Sequence, residues 1–340
     1  MTKKLLEQLY KEHQGKVSDK WSIYLPIYDR LLDSYRGGAT RLLEIGIQNG
    51  GSLDIWAKFF PNAQNIVGCD INPDCAVLSY DHPCISVVVG DANTDTTQAA
   101  ILAIAKKFDV IIDDGSHRSS DIIKSFVKYW PHLSDGGVYV AEDLHCSYWE
   151  GYEGGLFDPY SSLSFFKRLT DVINYEHWGL DGSRGKILAG TFLHYGIELQ
   201  EEAFEHIHSL EFINSVCVLK KRILSKNVLG SRIFAGSVAD VIPDHIVRCL
   251  SLNYAVDERS NRWSNMSLPP DEEYIQLQNK LAERTTQLDQ QNTKIAEREQ
   301  QINQVNMQID ALYQSASWRI TAPLRFLSTQ VKRLFSVRSS

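Results

Sequence analysis

Two short stretches carry residue types that do chemistry together. One is Asp113-Asp114-Gly115-Ser116-His117 and the other is Glu142-Asp143. Carboxylates crowded at close range cannot all stay ionised unless a cation neutralises them or some keep protons. Oxygen donors of this kind suit Mg²⁺ better than zinc or copper. A histidine near its unperturbed pKa beside such a group is a suitable proton acceptor. Standing alone, His117 would read as a capping or packing residue; the acidic neighbours turn the reading toward catalysis.

A third stretch, Leu42 to Ser52, reads Leu-Leu-Glu-Ile-Gly-Ile-Gln-Asn-Gly-Gly-Ser. A glycine turn between a strand and a helix lets the backbone approach a nucleotide-like ligand closely. A dinucleotide site wants G-x-G-x-x-G to receive a pyrophosphate, whereas the spacing here is G-x-x-x-G-G with Glu44 two residues before the first glycine. That carboxylate repels pyrophosphate and suits a cationic ligand bearing an amino group, which favours S-adenosylmethionine over NAD. Asp70 is placed to accept from ribose hydroxyls, and Asp91, in Gly90-Asp91-Ala92, to reach an adenine.

The elements that must position these groups alternate. Arg41–Gly46, Asn65–Asp70, Ile85–Gly90, Phe108–Asp113 and Gly136–Ala141 read as strands, with helix-like stretches Ser52–Phe60, Thr97–Lys107 and Asp121–Leu133 between them. Strands separated by helices pair in parallel and are covered on both faces. Ligands then bind at the carboxyl ends of the strands, where Glu44, Asp70, Asp91, Asp113, Asp114, Glu142 and Asp143 collect. Two further runs, His206–Phe212 and Ser215–Lys221, are joined by Ile213-Asn214 alone, so they form an antiparallel hairpin at the sheet edge. The expected class is therefore α/β: a mostly parallel seven-stranded, Rossmann-like sheet. Gly151–Gln200 supplies a helix (Leu163–Asn174) and loops over the strand ends, and Ser260–Pro270 reads as a linker.

From Tyr274 the pattern changes. Tyr274, Leu281, Leu288, Ile295, Ile302 and Ile309 recur every seven residues, with Leu277, Val305 and Leu312 on the second seam and Arg284, Gln291 and Arg298 at its centre. This is a heptad coiled coil with a polar middle. A helix with so narrow an apolar stripe cannot bury itself alone, so a second copy or another protein is expected to pair with it. Residues 315–340 carry five bases and no acid, and Trp318, Leu324, Leu327, Val331, Leu334 and Phe335 can share one helix side. Such a segment suits an anionic membrane surface, or else docking on the acidic part of the chain.

Composition narrows the classes further. The chain has 340 residues, 43% hydrophobic, with 35 Lys and Arg against 42 Asp and Glu. A net charge of -7 argues against a surface that grips nucleic acid. Cysteines 69, 75, 84, 146, 217 and 249 show no C-x-x-C spacing, so neither a zinc cluster nor a disulfide framework is expected. With no signal-like or spanning apolar run, a cytoplasmic protein is expected. The expected organisation is a helical segment over 1–40, the α/β domain over 41–222, an irregular extension over 223–270, the coiled coil over 271–314 and the basic tail over 315–340.

Residues about 15–150 resemble the metal-dependent class I methyltransferases of the macrolide-sugar (mycinamicin-type) O-methyltransferase group, also grouped with cephalosporin-hydroxylase-like proteins. The matching text is Ser18-Asp19-Lys20, Leu43-Glu44-Ile45-Gly46, Gly50-Gly51-Ser52-Leu53, Gly68-Cys69-Asp70-Ile71 and Asp113 through His117, then Gly136-Gly137-Val138-Tyr139-Val140, Glu142-Asp143 and Ser147-Tyr148-Trp149. The resemblance implies Mg²⁺ held by Asp114, Glu142 and Asp143, with His117 as general base. It implies S-adenosylmethionine over Glu44, Gly46, Ser52, Asp70 and Asp91, with Asp113 on the same side. Gln48 stands where many such enzymes have a second glycine. The segment Ser317 to Arg325 resembles one found near the ends of bacterial surface-polysaccharide glycosyltransferases and methyltransferases, which implies such enzymes as partners. The expected activity is methyl transfer to a sugar hydroxyl on a polysaccharide or its precursor. A small glycosylated natural product as acceptor, or an inactive scaffold built on the coiled coil, are the alternatives.

Overall fold

The computed structural model describes residues 4–198, 201–250, 256–264 and 272–336. Seven strands form one sheet: β1 (Arg41–Ile45), β2 (Asn65–Asp70), β3 (Ile85–Val89), β4 (Phe108–Asp113), β5 (Leu133–Ala141), β6 (Ile207–Ile213) and β7 (Val216–Lys221). Their order is β3-β2-β1-β4-β5-β7-β6. β1 to β5 pair in parallel, β7 runs antiparallel to β5, and β6 antiparallel to β7. Ile45 lies opposite Asp113, and Asp113 opposite Ala141, so the chain leaves β1, β4 and β5 at one level. That register is what gathers the acids on a single rim.

Alternation along each strand divides the core in two. Leu42, Ile66, Val110 and Ile112 face α1 (Leu6–Glu12), α2 (Tyr24–Leu32) and α3 (Gly51–Phe59), where Tyr24, Tyr28, Trp56 and Phe59 are buried. Leu43, Val67 and Ile111 face α4 (Asp95–Ile104), α5 (Ser119–Tyr129) and α6 (Ser162–Ile173), where Phe126, Phe165 and Phe166 are buried. Each such side chain contributes about 1.5–3 kcal/mol, so the sheet is a rigid floor for its rim.

Boundaries depart from the sequence pattern by a few residues. α4 starts at Asp95 because Thr94 caps it, its hydroxyl accepting from the Thr97 amide at 3.3 Å. The edge hairpin turns at Asn214-Ser215 instead of Ile213-Asn214; Ser215 has φ 69°, the left-handed backbone a tight hairpin turn requires. β5 begins three residues before Gly136, across an irregular register between Phe108 and Val110.

Residues from Glu272 form a separate compact unit. Its helix Glu272–Gln314 has 43 residues, about 65 Å at the usual rise. Leu281, Leu288, Ile295, Ile302 and Ile309 are all exposed on it. Ser315 then caps Ala316–Ile320, and a last helix spans Ala322–Ser336, with Arg325 over the Trp318 ring at 3.7 Å. The Tyr274, Val331, Leu334 and Phe335 side chains, and residues 265–270 of the expected linker, lie outside the described residues. No helix among the described residues is long and apolar enough to cross a membrane.

Candidate active site

The turn after β1 is built for close approach. Gly46 has φ 86°, and a Cβ there would stand 2.0 Å from the Asp114 carbonyl oxygen, so only glycine lets the loops after β1 and β4 meet. Gln48 is left-handed as well, at φ 43°. Asp70 holds it there: its Oδ2 accepts from the amides of Ile47 (2.9 Å) and Gln48 (2.8 Å), and its Oδ1 from that of Asn72 (2.9 Å). Charge-assisted bonds of this kind offset the cost of left-handed backbone at a residue other than glycine.

Two hollows open on the rim. One, of about 250 Å³, is lined by Gly46, Gln48, Asp70, Asp91, Asp113 and Ser125 among others. The other, of about 90 Å³, is lined by Lys20, Ser52, Asp114, His117, Glu142 and Asp143 among others. They share Gly46, Gln48 and Asp114, so they are neighbours across one turn. Glu44 is fully buried; its Oε2 accepts from Ser52 Oγ at 2.6 Å, and its Oε1 has no hydrogen-bond partner among the described residues. Asp113 accepts from the hydroxyls of Ser125 and of Tyr139 (3.0 Å), and burial pushes its carboxyl up to about 6.

Between the acids lies a cation to which sequence reasoning assigned nothing. Lys20 Nζ donates to Asp114 Oδ2 and to the Glu142 carboxylate at 2.9 Å, and sits 3.8 Å from Glu44 Oε1. Its side chain is only 3% exposed. Burial alone would drive its pKa down, but Glu142, Asp114 and Glu44 together outweigh burial and hold it well above the usual value. Burial in turn raises Glu142, with Lys20 opposing and Asp114 adding. Tyr28 donates its hydroxyl to Glu142 Oε1, and Asp143 Oδ1 accepts from Trp21 Nε1 at 3.0 Å and Tyr24 OH at 2.7 Å. The segment before β1 thus supplies four polar groups to this rim. One signal was legible: Tyr24 and Tyr28 are four apart, which places both hydroxyls on one helix face.

His117 and Asp143 both take left-handed backbone, φ 59° and 53°; strain of that kind clusters at functional sites. His117 Nε2 is 3.6 Å from Asp143 Oδ2 and 4.0 Å from Asp114 Oδ1, while its Nδ1 is buried without a partner among the described residues. Asp114, His117 and Asp143 each offer a ligand atom within 4.8 Å of the others. Glu142 adjoins them but is turned to Lys20 and Tyr28. Three carboxylates, those of Glu44, Asp114 and Glu142, share one ammonium, and Asp143 stands beside them against His117, so acids outnumber the lysine at this rim. Hard oxygen donors in excess fit Mg²⁺. The close approach at Gly46 and the carboxylates of Asp70, Asp91 and Asp113 along the adjoining hollow fit a cationic ligand there.

Strand order, edge hairpin and acidic rim together define a class I methyltransferase fold. Residues 43–144 match a family model described as a methyltransferase domain. The chain is 37% identical to mycinamicin VI 2''-O-methyltransferase of Micromonospora griseorubida over 172 residues, 47% of this chain and 42% of that relative. It is 36% identical to demethylmacrocin O-methyltransferase of Streptomyces fradiae over 182 residues, 49% of this chain and 45% of the other. Among solved structures, MycE methyltransferase from the mycinamycin biosynthetic pathway, in complex with Mg, SAH and mycinamycin VI, superposes with a TM-score of 0.54. That match is 28% identical and covers 68% of this chain and 57% of the other. The resemblance to the macrolide-sugar O-methyltransferase group therefore holds over this domain, and the chain spans less than half the length of the curated relatives it matches.

Proposed function

We propose that the chain is an S-adenosylmethionine- and Mg²⁺-dependent O-methyltransferase acting on a sugar hydroxyl. The observation that carries this is the convergence of His117 Nε2, Asp114 Oδ1 and Asp143 Oδ2 beside the acid-lined hollow over β1 to β4. The names of relatives support the acceptor class: they include a 2''-O-methyltransferase of mycinamicin VI and a 2'-O-methyltransferase of an α-L-rhamnosyl tetracenomycin. Asp114, Glu142 and Asp143 would hold the metal, and Glu44, Gly46, Ser52, Asp70, Asp91 and Asp113 would hold the methyl donor.

When bound, these groups supply an electrophilic methyl carbon and a Lewis acid for the acceptor oxygen. His117 Nε2 takes the hydroxyl proton, and the adjacent Asp143 and Asp114 carboxylates stabilise the imidazolium that results. Trp21 and Tyr24 fix Asp143, and Lys20 fixes Asp114, so the two free carboxylate oxygens keep their places. Radiolabelled methyl donor, Mg²⁺ and a panel of glycosides should give labelled sugar, and His117→Ala should lose about 10²–10⁴-fold in rate while still binding the donor. Undiminished turnover by that variant removes His117 as base, and full activity in excess chelator ends the metal reading.

We further propose that the acceptor belongs to bacterial surface-polysaccharide synthesis, with the basic tail against an anionic membrane surface or a glycosyltransferase partner at the cytoplasmic face. A small glycosylated natural product is the second reading, favoured by the relatives' names. The exposed heptad residues of Glu272–Gln314 support pairing with a second copy, since a lone helix leaves them in water. Sedimentation of the full chain should show an oligomer that Ile295→Asp with Ile302→Asp dissociates; a monomeric unaltered chain rejects the pairing.

A further inference from the structure

A line of aromatic rings leads away from the catalytic acids, and the mechanism above uses none of their faces, only the Trp21 N–H. Trp21 comes first, its indole N–H held by Asp143 while 59% of the residue stays exposed. Trp21 meets His145 edge to face with centroids 6.0 Å apart, His145 meets Trp149 at 5.1 Å, and Trp149 meets Tyr152 at 5.9 Å. Trp149 is 51% exposed. Polar contacts keep two of these rings from folding onto the core: Asp143 pins the edge of Trp21, and Ser215 Oγ lies 2.5 Å from His145 Nδ1. Large apolar faces held open beside a site are unfavourable in water and mark a surface that a ligand covers.

The ligand must be flat, apolar on one face and rich in hydroxyls at its edge. A pyranose ring meets all three conditions. Its C–H face can lie on an indole while a rim hydroxyl reaches Asp143 and His117, which stand 3.6 Å apart at the edge of Trp21. Two exposed indoles separated by His145 make room for two such rings in succession. We propose that Trp21 is the platform for the sugar that receives the methyl group, and Trp149 the platform for the next sugar of the acceptor. The site is thus built for an oligosaccharide. This rests on the sugar O-methyltransferase reading and narrows its acceptor.

The test is NMR titration of the full chain, saturated with Mg²⁺ and S-adenosylhomocysteine. The probes are methyl α-L-rhamnopyranoside, methyl α-D-mannopyranoside and the methyl glycosides of the corresponding disaccharides. The disaccharides should bind roughly tenfold more tightly than the monosaccharides, the factor expected of one added stacking contact. Trp149→Ala should erase that gain and leave monosaccharide binding unchanged. Trp21→Gln, which keeps an N–H donor for Asp143 but removes the ring, should weaken both, and Trp21→Phe, which keeps a flat face but loses the N–H that pins it, should weaken them less. Equal affinities for one and two rings, disaccharide binding indifferent to Trp149, or no binding of any probe overturns the proposal. Failure to bind S-adenosylhomocysteine instead defeats the methyltransferase reading itself, so the two failures are distinct.

Discussion

Two lysines are buried at opposite rims of one sheet, and their surroundings treat them in opposite ways. Lys20, at the carboxyl rim, sits among Asp114, Glu142 and Glu44, which hold its pKa well above the usual value. Lys221, the last residue of β7, lies at the other rim; its Nζ donates to the carbonyls of Trp130 (2.8 Å) and Pro131 (3.2 Å), and burial lowers its pKa to about 8. Lys221 borders the larger hollow, about 1070 Å³, where Lys107 and Arg222 are interspersed with Glu201, Glu202 and Glu205. The comparison teaches that volume does not mark the site. Mixed charges around an open groove are ordinary solvated surface. Acids buried in excess around one ammonium are costly and add no packing, so they point to a further cation.

Removing the ammonium is the strongest way to test that contrast. Lys20→Met leaves Asp114, Glu142 and Glu44 buried without a counter-charge, and breaking such a cluster costs about 3–5 kcal/mol. Urea unfolding at neutral pH should show that loss, and added Mg²⁺ should restore part of it by binding the folded state alone. Lys20→Arg, which keeps the charge, should lose less. An unaltered midpoint for Lys20→Met would mean the acids do not depend on Lys20, and the contrast between the rims would fail.

How far this rim could be read beforehand follows from which interactions are local. Strand ends fall where short apolar runs stop, so Glu44, Asp70, Asp113 and Glu142 could be assigned to one edge from alternation alone. The parallel order did the rest, because register places Ile45, Asp113 and Ala141 side by side. Lys20 could not be found that way. It lies 94 residues from Asp114 and 122 from Glu142 in a segment without period, and no propensity encodes a contact at that distance. Asp70 shows a subtler gap: the strand end was legible, but not that three backbone amides engage its carboxylate. Ser215 moved the hairpin turn by one residue because its left-handed backbone, invisible in composition, decided the turn.

The weakest effect should come from Lys221, and its pH dependence is the sharpest part of the comparison. Its folded pKa, about 8, lies below the ordinary 10.5, so the folded state disfavours the charged form. That penalty is fully present below pH 8 and is relieved as pH rises from about 8 toward 10.5. Lys221→Met removes it, and solvent near the groove limits the gain at neutral pH to roughly 1 kcal/mol. The Pro131 carbonyl keeps a donor in Lys107 Nζ at 2.7 Å, so the substitution strands little. The stability advantage of the variant should therefore shrink across that alkaline window, followed by thermal or urea unfolding of both proteins. Lys20 gives the opposite sign, because a raised pKa makes a stabilising contribution that is fully present below the ordinary value and is lost as pH rises above it. A stability difference between Lys221→Met and the parent that stays constant with pH would mean the carbonyls of Trp130 and Pro131 solvate that ammonium as well as water does. The two rims would then differ only in their acids.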